Sequence, residues 1–166
     1  PLIQQPNFPL PILPAVTVTS GLIHFLLALP IALLFLVIDG APLTSAILLL
    51  PILLVLQFVF TISLGYFLAA LNAVFHDTHH TLEVVLQFLF YMSGVFYDLS
   101  SVPPDYQKIL YLNPICHLVT AYRDILIRGV HPDWSSLIWI GALSMVLLPI
   151  GQRFFRHQSY RFIEEI

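Results

Sequence analysis

Apolar residues run along this chain in long blocks, and the charged residues fall between them. From 1 to 38 there is no Lys, Arg, Asp or Glu; Asp39 interrupts, and the next charge is Asp77. Residues 84–97 and 134–152 are again free of charge. A helix rises ~1.5 Å per residue and needs about 20 apolar residues to cross a hydrocarbon core of ~30 Å. The blocks predict membrane spans at about 10–37, 43–71, 78–97 and 134–151, the last two near the lower limit of length. Pro11 and Pro14 fall in the first turns of span one, where a missing N–H costs little, whereas Pro30 lies deep inside and predicts a kink. Pro51 falls in the first third of span two. I-D-G-A-P at 38–42 reads as a tight reversal. Ser63, Gly65, Ala69 and Ala70 give span two small residues, against which another helix can approach closely.

Between these blocks lie two polar segments. Residues 72–81 (N-A-V-F-H-D-T-H-H-T) read as a loop. Residues 98–133 are too long for a turn and too polar for a span, and Asn113-Pro114 divides them into short helical pieces. In the second piece Ile115, Leu118, Val119, Tyr122, Ile125 and Leu126 recur at helical spacing, which suits a helix lying at the interface or dipping part-way into the membrane. Gly129 supplies its stop signal. Trp134 and Trp139 suit the aromatic belt at the start of span four. If the spans alternate, the cations divide equally: Arg153, Arg156 and Arg161 on one side, Lys108, Arg123 and Arg128 on the other. The first three stand directly beside a span, which tilts the tail, 152–166, towards the cytoplasm.

Composition agrees with a lipid setting. Of 166 residues, 58% are hydrophobic and 9% charged, against about 25% charged in a soluble domain. The fold class expected is all-α, a polytopic transmembrane helical bundle. The formal net charge of −3 implies no nucleic-acid partner, and the single cysteine, Cys116, excludes an intrachain disulfide framework. The sequence opens on Pro1, with Pro6, Pro9, Pro11 and Pro14 following and no charged leader region. It therefore does not read as a signal peptide, and we expect a fragment whose N-terminal part is missing.

Several patterns could carry chemistry. His76-Asp77-Thr78-His79-His80 matches H-x-x-H-H, a spacing used by membrane di-iron enzymes, and imidazole ligates iron or zinc. The other histidines, His24, His117, His131 and His157, are isolated, so no second box forms and no metal is expected. The stretch reads instead as a polar turn facing water or headgroups. Cys116 and His117 are neighbours whose side chains diverge on a helix. Neither a nucleophile elbow nor a G-x-x-x-x-G-K-[ST] loop occurs, so the chain has no P-loop for ATP. Aromatic residues crowd span three, Phe90 among them; Phe88, Phe90, Tyr91, Phe96 and Tyr97 could stack on sugar rings along a glycan path, or simply pack against lipid and helices. Ionisable groups are nearly absent from mid-span, which argues against a proton-driven carrier.

The stretch 71–97, L-N-A-V-F-H-D-T-H-H-T-L-E-V-V-L-Q-F-L-F-Y-M-S-G-V-F-Y, resembles the ABC-2 type permeases that export polysaccharides, O-antigen and teichoic-acid polymers. So do V-P-P-D-Y-Q-K-I-L-Y-L-N-P at 102–114, Ala121-Tyr122-Arg123-Asp124, Pro132-Asp133-Trp134, and the opening N-F-P-L-P-I-L-P. The resemblance implies six spans in the full protein, the four here being its third to sixth. It implies an extracytoplasmic re-entrant region at 98–133 and a cytoplasmic tail. It implies a bacterial cytoplasmic (inner) membrane location. Its partners would be a separate ABC ATPase subunit, a second permease copy, the lipid bilayer, and a glycan or polyol-phosphate polymer, free or lipid-linked. No cofactor would be bound by this chain; ATP and Mg would be used by the partner. Asn113, Pro114, Tyr122, Arg123 and Asp124 would shape the exit, while Gln5, Asn7, Phe8, Asn72, His76 and Asp77 would face the ATPase. His76 stands where the family commonly has arginine, and Gly94 and Asp98 where it commonly has proline. The alternatives are a histidine-box metal-dependent membrane enzyme and a non-catalytic membrane scaffold.

Overall fold

The computed structural model describes residues 12–42, 44–74 and 78–164, and every regular element among them is helical. Helix α1 is Ile12–Ile38, α2 Leu50–Val74, α3 Thr78–Tyr91, α4 Pro104–Leu110, α5 Pro114–Arg123 and α6 Trp134–Glu164. Three stretches are long and apolar enough to cross a membrane: α1, 45–72 and 134–155. Pro30 lies inside α1 and Pro149 inside α6. Pro51 falls where a 3-10 turn, Ser45–Leu49, becomes α2. Proline has no N–H to offer the carbonyl four residues back; that carbonyl, on Ile47, accepts instead from the Leu50 N–H.

Among the described residues α2 and α6 form the most extensive pairing. Leu53, Phe60, Ser63 and Ala70 on α2, and Leu137, Ile140, Ser144 and Gly151 on α6, are buried. These positions recur at intervals of three, four and seven, the seam of two helices crossing at a shallow angle. Small residues set the approach: a Cβ on Gly151 would stand 3.0 Å from the Phe67 nitrogen and 3.1 Å from the Tyr66 Cβ. Ser63 Oγ donates to the Val59 carbonyl at 2.6 Å and reaches the Ser144 carbonyl at 3.2 Å. On another side of α2, Gly65 meets Val18 of α1. α1 carries no buried residue, and α3 packs only sparsely against the rest.

Residues 78–97 do not form one span. Helix α3 has 14 residues, about 21 Å at helical rise, and ends at Tyr91. Gly94 takes φ +77°, a left-handed conformation that only glycine adopts readily, and the chain bends through 92–97. The bundle therefore has three helices of spanning length among the described residues rather than four. At the far end α6 continues as a helix well past Gly151, to Glu164.

Candidate functional site

The segment between α3 and α6 builds a cap at the end of the bundle where α1 ends and α2 and α6 begin. A helix leaves its last carbonyls without partners, and α3 finds them outside itself. Asn113 Nδ2 donates to the Leu89 carbonyl at 2.7 Å, while its Oδ1 accepts from the Ile115 N–H at 3.0 Å. One amide thus closes α3 and N-caps α5, and Pro114 follows at the first helical position, where no N–H is required. At the other end of α5, Arg123 donates from Nη2 to the Gly94 carbonyl at 2.9 Å and from Nη1 to the Tyr97 carbonyl at 3.1 Å. Helix α5 therefore lies across the bend that ends α3 and holds it at two points.

Arg123 and Asp124 do not pair with each other. Asp124 Oδ1 accepts from Arg128 Nη1 at 2.9 Å, and Arg128 Nη2 donates to Asp98 Oδ2 at 2.6 Å. Asp98 also caps the short turn Leu99–Ser101 through the Ser100 N–H. The Arg128 guanidinium, then the Ser100 N–H, hold the Asp98 carboxyl down at about 2. Asp133 caps α6 in the same way. Ser136 and Ser135 hydroxyls and N–H groups converge on it and lower it to about 2. Beyond Arg128 the chain leaves a π-turn through Gly129 at φ +65°, where a Cβ would come within 2.8 Å of the Pro42 carbonyl. Thr44 Oγ1 donates to the Gly129 carbonyl at 2.7 Å, tying the cap to the start of α2.

Tyr122 faces the bundle. Its hydroxyl donates to Gln57 Oε1 on α2, and its ring meets Phe25 of α1 edge-on at 5.8 Å. Of the aromatics assigned to a glycan path, Tyr91 and Phe96 stack at 5.9 Å with both rings exposed. Phe88 is exposed on α3. Tyr97 turns away to pack on the cluster of Leu99, Leu110 and Cys116. Phe90 completes the exposed group, 5.6 Å from Phe96. Sequence reasoning left Gln57 out of the candidate set. Gln57 had a signal, since it is an amide set in an apolar span where hydrogen-bonding side chains join helices.

Of the residues assigned to an ATPase-facing surface, Asn72 is exposed near the end of α2, at the opposite end from the cap. Gln5, Asn7, Phe8, His76 and Asp77 lie outside the described residues, as do the side chains of His79 and His80, so the histidine motif does too. Among the described residues no three His, Cys, Asp or Glu side chains gather as metal ligands.

Residues 7–127 match the family described as ABC-2 type transporter. The chain is 32% identical to an O-antigen export system permease protein, RfbA, of Myxococcus xanthus, over 99% of its own length and 64% of the relative's. It is 26% identical to the protein of the same name from Klebsiella pneumoniae, covering 98% of this chain and 63% of that one. It is 25% identical to the polysialic acid transport protein KpsM of Escherichia coli, over 61% of this chain and 39% of that protein. The chain thus spans under two thirds of the length of these curated relatives. No solved structure matches it.

Proposed function

Since this chain belongs to the ABC-2 type transporter family, we propose that it forms part of the membrane-spanning permease of an ATP-driven exporter for a cell-surface polysaccharide of the O-antigen class. The observation that carries this reading is the match to an O-antigen export permease along 99% of the chain. A polyol-phosphate polymer is the neighbouring substrate class. In this reading ATP and Mg are used by a separate ATPase subunit and the permease binds no cofactor of its own; the family assignment supports it. Two permease copies pair in a bacterial cytoplasmic membrane, with the polymer passing between them.

In this proposal the cap at 98–133 is extracytoplasmic and the end carrying Asn72 and Arg153 faces the ATPase. Asn113 and Arg123 join the cap to the bend after α3, so a movement of α3 carries the outlet with it. α3 is the helix suited to move, because sparsely packed elements open at low free-energy cost. ATP-driven closure of the partner supplies the difference in free energy between closed and open states. Phe90, Tyr91 and Phe96 offer ring faces to the polymer at the outlet.

The test is co-expression of the intact permease with a candidate ATPase, purification through a tag on the permease, and ATP turnover in lipid. A stoichiometric complex whose turnover rises with the exported glycan supports the reading. A permease that purifies alone, under conditions that preserve a known exporter complex, overturns it.

A further inference from the structure

An open groove of about 590 Å³ lies between the C-terminal half of α1 and the outer face of α5 and its π-turn. Its walls are mostly apolar, with Ala32, Phe35 and Leu36 on one side and Leu126 on the other. Two charged residues line it as well, Asp39 from the turn after α1 and Arg123 from α5. Among the described residues neither is in an ion pair. Arg123 spends one N–H from each terminal nitrogen on a carbonyl, and a guanidinium has five N–H donors.

The groove is graded in polarity along the membrane normal. α1 has 27 residues, about 40 Å at helical rise, and exceeds a hydrocarbon core of ~30 Å. Asp39 is the first charged residue in the sequence and follows directly on α1; a charge is costly inside the hydrocarbon, which sets Asp39 and the final turn of α1 at headgroup depth. Ala32 lies seven residues earlier, about 10 Å deeper. An amphiphile lying here would place its chain against Ala32, Phe35 and Leu36 and its headgroup between a carboxylate and a guanidinium.

We propose that this groove is a binding site for a phospholipid with a primary ammonium headgroup, phosphatidylethanolamine. Its phosphate pairs with Arg123, since guanidinium forks suit phosphate oxygens. Its ammonium donates hydrogen bonds to the Asp39 carboxylate. A choline headgroup carries no N–H to donate, and an anionic glycerol headgroup would set its charge against Asp39 without an ammonium to offset it. The site does not depend on which polymer is exported.

The experiment uses the intact permease in nanodiscs of phosphatidylethanolamine, phosphatidylglycerol and phosphatidylcholine, followed by mild detergent release and native mass spectrometry of the lipids retained. The wild type should keep phosphatidylethanolamine over phosphatidylcholine by roughly tenfold, the scale of a charge-assisted hydrogen bond. Asp39→Asn should keep a lipid but lose that preference. Ala32→Trp, which fills the groove, should retain less of every class. A photoreactive benzoylphenylalanine replacing Phe35 should cross-link to lipid. Equal selection by the wild type and Asp39→Asn overturns the proposal. So does a cross-link from position 35 to a second copy or to another segment of protein, which would mean the groove is covered by protein. Arg123 is not the variant of choice, because it also holds the bend after α3.

Discussion

At the scale of single residues, the cap depends on side chains that each satisfy two demands. Asn113 is the clearest, and its amide gives a discriminating pair of variants. Asn113→Ala removes an N-cap and leaves the Leu89 carbonyl without its donor, and should cost about 1–3 kcal/mol. Asn113→Asp keeps a capping oxygen but turns an acceptor towards that carbonyl, so it should also lower the melting temperature. An aspartate variant as stable as wild type would show that the Leu89 bond contributes nothing. Asp98 gives a pH dependence. Its folded-state pKa of about 2 lies below the ordinary value of 3.8. Its contribution is therefore complete above the ordinary value and is lost as pH falls through about 2. Thermal stability in detergent should decline between pH 4 and 2, less steeply in Arg128→Gln, with Asp133 contributing over the same range. The Asp98–Arg128 pair is more than one third exposed, so added salt should flatten the same slope.

At the scale of helices, sequence pattern and structure agree where burial in lipid dictates the outcome and part company where tertiary contacts do. The apolar blocks made the three long helices legible, because a spanning segment must satisfy its own backbone. The small residues of α2 marked a close approach: Ser63 is buried against α6 and Ala70 is fully buried, while Gly65 serves α1 instead. What the pattern could not show was the stop inside 78–97. Those residues are apolar throughout, and the bend rests on Gly94 together with donors that arrive from Asn113 and Arg123, 24 and 29 residues away. Helix α6, conversely, continues past its apolar block because nothing between Gln152 and Glu164 breaks a helix. The pairing of α2 with α6 also separates two glycines on the same helix. A Cβ on Gly141 meets only the end of the Leu56 side chain, at 3.6 Å, whereas one on Gly151 meets backbone at 3.0 Å. Gly141→Ala should leave stability unchanged or raise it, since alanine favours the helix. Gly151→Ala should cost about 1–3 kcal/mol by pushing the helices apart. Both are read by thermal denaturation in detergent, and equal effects would mean that the helices do not pack as closely as described.

At the scale of the whole molecule, the direction of the helices decides how many times the chain crosses the membrane. Leu56 of α2 meets Gly141 of α6, Ser63 meets Ser144, and Tyr66 and Phe67 meet Gly151. Numbers rise together on both helices, so α2 and α6 run parallel. α1 runs the other way, since Val18 meets Gly65 and Phe25 lines a cavity with Gln57. A chain that leaves α2 at one end must cross back before α6 can begin at the other. The segment between them does this with a helix of about 21 Å and the bend at 92–97, which the cap braces from the side. The parallel pair thus calls for a return between α2 and α6 that is made without a fourth full-length helix, and the hydropathy of 78–97 did not show that construction. The consequence can be checked with single cysteines, because the one thiol within these 166 residues, Cys116, is fully buried and should stay unlabelled. Ser100→Cys should react with a membrane-impermeant maleimide from one side of the membrane, and Asn72→Cys and Gln152→Cys only from the other. Labelling of positions 72 and 100 from the same side would mean that 78–97 turns back without crossing. The parallel pairing of α2 and α6 would then have to be wrong, because no other segment between them is available to make the return.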